Sequence, residues 1–400
     1  MTDEPVKKVK MAEAVITDEM IAKMRAKIGS KLRIDDEINN EEATWTAIRK
    51  FADGIGDANP LWRNAEYAKN TRFGTLVAPP SWIFACYSGL QLGWAGLGGF
   101  HNETQCEFFR PILLGDKVLP ECYYLGFDGP KPSSFAERII VDWKSNSYKN
   151  QNGELIAKVK WSSIRMERAK AKEKGKYSSI QLPHPWTEEQ VKDIEEQVLA
   201  EEYRGAKIRY WEDVKVGDEL KPVVKGPLGL TDEIAFLIGG GAPIPSLSAH
   251  GVQLRKYRQH PAWSFRDPVT HALEPIYAVH YNRQAAAAQG GLPNPYDVGF
   301  QRQSWQIELL TDWMGDDGFL KKSAAQYRKF VYHSDVVWLK GKVTNKYLDE
   351  NNEPCVDIET TTINQRNEEV MPGTGTVILP SRDNKTFPLD RRLPAKKAGI

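Results

Sequence analysis

The strongest constraint on this 400-residue chain is that it repeats itself. Trp62-x-Asn64 and Ala68 recur as His280-x-Asn282 and Ala286, a step of 218 residues in both cases, and Gly290-Gly291 answers Phe73-Gly74. Further on, Gly115-Asp116-Lys117-Val118 faces Ser334-Asp335-Val336-Val337 at a step of 219, following Phe109-Arg110-Pro111 and Tyr327-Arg328-Lys329 respectively. Asn150-Gln151-Asn152-Gly153-Glu154 then matches Asn364-Gln365-Arg366-Asn367-Glu368 at a step of 214. Three patterns in register indicate duplication, so the chain reads as two related units.

Composition narrows the ligand. The 54 Lys and Arg and 53 Asp and Glu are interleaved, which marks neither a nucleic-acid surface nor a general anion trap. A small, mostly uncharged ligand is expected, with no nucleic-acid partner. Cys86, Cys106, Cys122 and Cys355 form no CxxC pair, so reduced thiols, a cytoplasmic location and no metal site are expected. Met1 to Lys10 is charged and lacks a signal-peptide core. The nearest approach to a membrane span, Ile83 to Phe100, is interrupted by Gln91 and five glycines, so no membrane partner is expected.

The pattern divides the chain into an arm (1–34), a first unit (35–165), a charged linker (166–207), a second unit (208–382) and a tail (383–400). In the first unit, Thr44 to Phe51 reads as a helix, Trp62 to Lys69 as a short connecting helix and Ser81 to Leu92 as a helix that a sheet could wrap. Strands are expected at 106–109, 117–125, 137–143 and 155–165, with a turn at Asp128-Gly129-Pro130. In the second unit, Trp211 to Leu220 reads as a strand with a tight turn, and further strands fall at 336–343, 355–364 and 373–379. Helices followed by antiparallel strands give an α+β class.

Taken together, Gly56-Asp57-Ala58-Asn59-Pro60, Phe73-Gly74 and Val77-Ala78-Pro79-Pro80 in the first half, with Trp211 to Leu220, Gly290-Gly291 and Gly315-Asp316-Asp317-Gly318 in the second, resemble the MaoC-like hydratase/dehydratase family. The resemblance covers roughly residues 35 to 165 and 208 to 380. It implies a tandem (double) hot-dog, each unit an antiparallel sheet wrapped around a central helix. It also implies addition or removal of water at the 2,3 double bond of an enoyl-CoA, with coenzyme A as part of the substrate and no other cofactor. A homodimer, or a heteromer with another hot-dog subunit, would be the assembly.

In that chemistry a carboxylate and an imidazole straddle one water, and a backbone N–H at a helix N-terminus stabilises the thioester oxygen. The family motif GDxNPxH supplies Asp and His five positions apart. This chain departs from it twice: Asp57 is followed by Trp62, and His280 is preceded by Pro275. Three readings stand open. Asp57 and His280 meet across the pseudo-dyad, with Asn59 or Asn282 orienting the water; or the second half acts alone, His280 being assisted by Asp297, Tyr281 or Tyr296; or the site is dead and the chain binds acyl-CoA as the partner of an active subunit. Hydrolysis of the thioester on the same fold is a further alternative. Gly74, Ala78, Gly291 and Gly299 are the candidates for the oxyanion pocket.

Simpler roles compete with each of these. Asp57 also fits an Asx turn or helix cap, His280 a core histidine, Asp316-Asp317 a solvated turn, Trp305, Trp313 and Tyr327 the core, and Arg302 a structural ion pair with Asp297. Thr44 to Phe51 aligns near Thr231 to Phe236 at a step of about 185, so some 33 extra residues fall within 238–275. This insertion is either a pocket wall or a surface loop. Its His250, His260 and His271 have no metal-ligand spacing.

Overall fold

In a computed structural model, the described residues are 11–32, 39–86, 94–241 and 247–394. Nine strands form one sheet: β1 (Gly98–Phe108), β2 (Leu119–Pro132), β3 (Arg138–Lys149), β4 (Leu155–Met166), β5 (Val223–Lys225), β6 (Phe319–Gln326), β7 (Val337–Leu348), β8 (Pro354–Asn364) and β9 (Gly373–Ile378). Their order across the sheet is β2-β3-β4-β1-β6-β9-β8-β7-β5. The two halves of that order mirror each other about the antiparallel β1/β6 seam, where Thr104 faces Ala325 and Cys106 faces Ser323. The two units therefore join edge to edge, which removes one open edge from each.

The duplication extends to individual hydrogen bonds. Asp116 accepts from the Leu113 N–H (2.8 Å) and from Gln151 Nε2 (3.0 Å), and Gln151 in turn accepts from the Lys117 N–H. Asp335 repeats this with the Tyr332 N–H (2.9 Å) and Gln365 Nε2 (2.6 Å), while Gln365 accepts from the Val336 N–H. The bridge Val77/Leu113 recurs as Tyr296/Tyr332, both partners displaced by 219.

Helices α1 (Trp45–Ile55) and α2 (Leu230–Gly240) are the repeated helices at the step of 185. They cross closely because each has a glycine at the same place. A Cβ on Gly54 would lie 2.7 Å from the Ala235 carbonyl, and one on Gly239 2.3 Å from the Lys50 carbonyl. The central element is α3 (Gly299–Met314), buried along almost its whole length and enclosed by the sheet.

Several expectations need correction. Of the expected helix 81–92, Pro80–Ala85 is a 3-10 turn, and 87–92 lies outside the described residues. Trp211 to Leu220 is not a strand. Trp211–Asp213 is a 3-10 turn held by the Trp211 indole donating to the Cys355 carbonyl (3.0 Å), and backbone bonding to β7 begins at Gly217, with an isolated bridge at Glu219. β2 runs through the expected Asp128-Gly129-Pro130 turn, accommodating it as a register shift. The linker is not a solvated spacer throughout, since Arg168 is buried and donates to Gln289, Ala12 and Gly96. Asp316 is likewise no solvated turn: it is buried and accepts from Tyr67 Oη at 2.6 Å. Among the described residues no helix is long and apolar enough to cross a membrane.

Candidate active site

The large cavity, about 550 Å³, opens where the second unit meets β1, β3 and β4 of the first, and α3 begins at its wall. Its surface is aromatic, with Phe100, Phe135, Trp161, Tyr277, Tyr296 and Phe330 among the lining residues. It also presents seven cationic side chains (Lys144, Arg165, Arg168, Lys176, Arg302, Arg328 and Lys329) against one carboxylate, Asp297. Ala262 and Trp263 from the inserted segment form part of the wall.

His280 ends the short 3-10 helix Ile276–His280 and faces this cavity. Its Nδ1 lies 2.8 Å from the Tyr296 carbonyl, which can only accept, so Nδ1 carries the hydrogen and Nε2 keeps its lone pair. Burial pushes the imidazole pKa down to about 4, which keeps the ring neutral at pH 7. Tyr277 packs on it with ring centroids 4.6 Å apart, and the buried Tyr277 hydroxyl has no hydrogen-bond partner among the described residues.

Gly299 starts α3 at the same cavity. The first N–H groups of a helix have no intrahelical acceptor and carry the positive end of the helix dipole. In α3 the first in-helix bond is from the Arg302 N–H to the Val298 carbonyl. Only glycine fits here, because a Cβ would stand 2.5 Å from His101 Nδ1.

The remaining expected residues have other duties. Asp57 accepts from the Asn59 N–H (2.9 Å) in an Asx turn, and Asn59 accepts from the Leu61 N–H (3.0 Å) as a helix cap. Burial raises the Asp57 carboxyl to about 6, and its charged surroundings are Lys225 and Glu201. Lys225 in turn donates to Glu308 (2.7 Å), Glu201 (3.1 Å) and the Gly56 carbonyl. Glu201, Glu308 and Asp312 bring one oxygen each within 4.8 Å of one another around that lysine. None of these residues lines the cavity of His280, so the fold does not bring Asp57 and His280 together. Asp57 lies in the charged neighbourhood of Glu308 and Asp312, in the C-terminal half of α3, whereas the His280 cavity is at the N-terminus of that helix.

Asn282 caps the helix Arg283–Gly290 through the Ala285 N–H (2.9 Å) and donates to Asp267 (2.9 Å), so it is not free to orient a water. Tyr281 packs with the second apolar cluster and is not in the cavity wall. Tyr296 contributes its carbonyl to His280 and its ring to the wall. Asp297 is held in a bidentate pair by Arg302, which also donates to the Lys329 carbonyl (2.8 Å), so Asp297 itself is committed to a structural ion pair. Gly74 is an exposed left-handed turn. Ala78 donates its N–H to the Ile112 carbonyl (2.8 Å), and Gly291 is a left-handed helix cap whose N–H goes to Ala287. Of the four oxyanion candidates, Gly299 alone lies in the wall of the His280 cavity.

Besides Tyr277, three groups near the site escaped the sequence reading. His101 lines the cavity beside Gly299 with Nε2 2.6 Å from Thr104 Oγ1, and burial lowers its pKa to about 3. Lys144 lines it from β3. Glu233 on α2 is fully buried, and neither carboxyl oxygen has a hydrogen-bond partner. The inward positions of β1 are even-numbered, so period-two alternation does not point to His101, and a lone lysine or glutamate carries no such signal either.

The fold is a double hot-dog, the fold shared by the solved structures on which the chain superposes. Residues 34–159 match the model of the FAS1-like dehydratase domain region. A solved MaoC-like dehydratase superposes over 88% of this chain and 99% of its own, with a TM-score of 0.59 and 16% identity. A Mycobacterium tuberculosis protein described as having a double hotdog fold superposes at 0.50 with 9% identity, over 88% of this chain and 96% of its own. Among curated proteins, a UPF0336 protein of Parafrankia sp. is 35% identical over 80 residues, 18% of this chain and 53% of that protein. One from Thermomonospora curvata, named "Probable enoyl-CoA hydratase alpha subunit", is 25% identical over 159 residues, 34% of this chain and 49% of the other. The chain thus spans about half the length of the curated relatives it matches.

Proposed function

We propose that the chain is a hydro-lyase acting on acyl-CoA thioesters, with its chemistry in the second unit. His280 carries the proposal, as a neutral buried imidazole with a free Nε2, sharing one cavity with the N-terminus of α3. Nε2 takes the proton from water as it attacks the β-carbon and delivers it to the α-carbon as the enolate collapses; in the reverse direction it removes the α-proton and returns it to the leaving hydroxyl. The Gly299 N–H holds the negative charge that develops on the thioester oxygen. The free Tyr277 hydroxyl, beside His280, orients the water and takes the place of the missing aspartate. The cationic excess of the wall suits the phosphates of coenzyme A, which needs no further cofactor.

A second reading has support in the first unit. Trp62 stands where an imidazole is needed, and Asp57 is spent on its turn, so that unit is a non-catalytic half. The Thermomonospora relative is named a subunit, which favours a hot-dog partner chain over a lone homodimer. A cytoplasmic location belongs to the same reading. Hydration of a panel of enoyl-CoA thioesters by the purified chain, followed by loss of the conjugated-thioester absorbance, tests the proposal. Turnover supports a self-sufficient enzyme; binding without turnover on any thioester rejects it in favour of the subunit reading.

A further inference from the structure

We infer that Lys144 selects the acyl group: its ammonium receives an acceptor oxygen carried by the acyl chain, so the cavity favours an acyl group bearing a carbonyl or carboxylate over a plain alkyl one. This rests on the acyl-CoA reading above and names its substrate class.

The Lys144 side chain is 0% exposed to solvent yet lines the cavity. Among the described residues Nζ has only a long ion pair and no close hydrogen bond. Its nearest anion, Asp142 Oδ2, is 3.5 Å away, and the Asp142 Oδ1 is taken by Arg165 Nε at 3.0 Å. The face of Trp161 covers Nζ on another side, 3.8 Å from the ring centroid. A buried ammonium is costly unless its donors are used, and the cavity that Lys144 lines is the place from which a ligand could supply a further acceptor. Burial also lowers its pKa to about 7, a state that an acceptor in the cavity would reverse.

The internal repeat supplies a control for this position. Lys144 pairs with Tyr124 and Trp161 across β2, β3 and β4, and Ile358 pairs with Val343 and Gly375 across β7, β8 and β9 at the steps of 219 and 214. Asp142 corresponds in the same way to Val356. Both counterparts are fully buried members of the apolar core. The scaffold thus packs well with aliphatic residues here, and the first unit carries a charged pair only where the cavity lies. A requirement of folding alone would not separate the two halves.

The test is direct binding of hexanoyl-, 5-oxohexanoyl- and adipoyl-CoA, which share one carbon skeleton, to the full chain by titration calorimetry. The wild type is expected to bind at least one oxygenated thioester ten-fold or more tighter than hexanoyl-CoA. Lys144→Met should bring that ratio within two-fold while changing hexanoyl-CoA binding less than three-fold; Lys144→Gln, with its melting temperature checked, guards against a variant that fails to fold. Equal wild-type affinities overturn the inference, as does a ratio that survives in both variants. An equal loss for all three ligands also overturns it, because Lys144 would then serve coenzyme A itself. If no thioester binds the wild type, the acyl-CoA reading fails with it, which is a distinct result.

Discussion

The twin aspartates of the repeat offer a quantitative test of how burial sets the worth of one motif. Asp335 is 0% exposed in its side chain and accepts four hydrogen bonds: from the Tyr332 N–H, from Gln365, and two of 2.6 Å from Arg366. Asp335→Ala strands the buried Tyr332 N–H and removes the anion from Arg366, which keeps only Glu368 at 3.1 Å. Breaking one partner of such a buried pair costs about 3–5 kcal/mol. Asp116 has the same place in the first unit but is half-exposed and accepts two bonds, with Asn152 at the position equivalent to Arg366. Water replaces what Asp116→Ala loses, so the cost there is about 1 kcal/mol. Urea denaturation of both variants reads the difference, expected at roughly 2–4 kcal/mol. Equal costs within about 0.5 kcal/mol, beyond the usual extrapolation error, would refute this account of the repeat.

Other expectations follow from single contacts. Gly299→Ala forces a Cβ against His101, which Thr104 and Tyr327 hold in place, and a displacement of this kind should lower kcat by about 100-fold with little loss of acyl-CoA binding. Gly239→Ala and Gly54→Ala each drive a methyl into the opposing helix backbone and should cost about 1–3 kcal/mol in denaturation. The folded-state pKa of His280 lies below its unfolded value, so its neutral form stabilises the fold above pH 6.5, and that contribution is lost as pH falls toward 4. Over that window the wild type should lose about 1.4 kcal/mol per pH unit more than His280→Gln, measured by denaturation at pH 7 and pH 5. The same pKa keeps the base limb of the activity profile near pH 4, not 6.5.

Much of the architecture was legible because the repeat preserves its spacing. The steps of 218, 219 and 214 located His280, the turn aspartates and the paired sheets, since loops that hydrogen-bond their own backbone tolerate few changes in length. The central helix was not legible. Gln301, Gln303, Gln306, Glu308 and Asp312 lie on α3, so it shows no apolar stripe. For three of these the sheet supplies partners, Gln303 meeting Ser323, Gln306 meeting Thr360 and Glu308 meeting Lys225, while Gln301 donates to the Asp232 carbonyl on α2. A helix enclosed on all sides by polar-capable strands defeats hydrophobic periodicity. At the site, the histidine was found by register, but its surroundings were not. His101, Tyr277 and Lys144 come from three different elements, and nothing in the local sequence ties them together.

The most direct test of the central claim is enoyl-CoA hydration by the wild type, His280→Gln and Asp57→Asn, compared in kcat/KM. The account predicts a loss of about 100-fold or more in His280→Gln, and a change below about three-fold in Asp57→Asn, which keeps the acceptor of its turn. Turnover that survives in His280→Gln, or that is lost in Asp57→Asn while the protein stays folded, would contradict it.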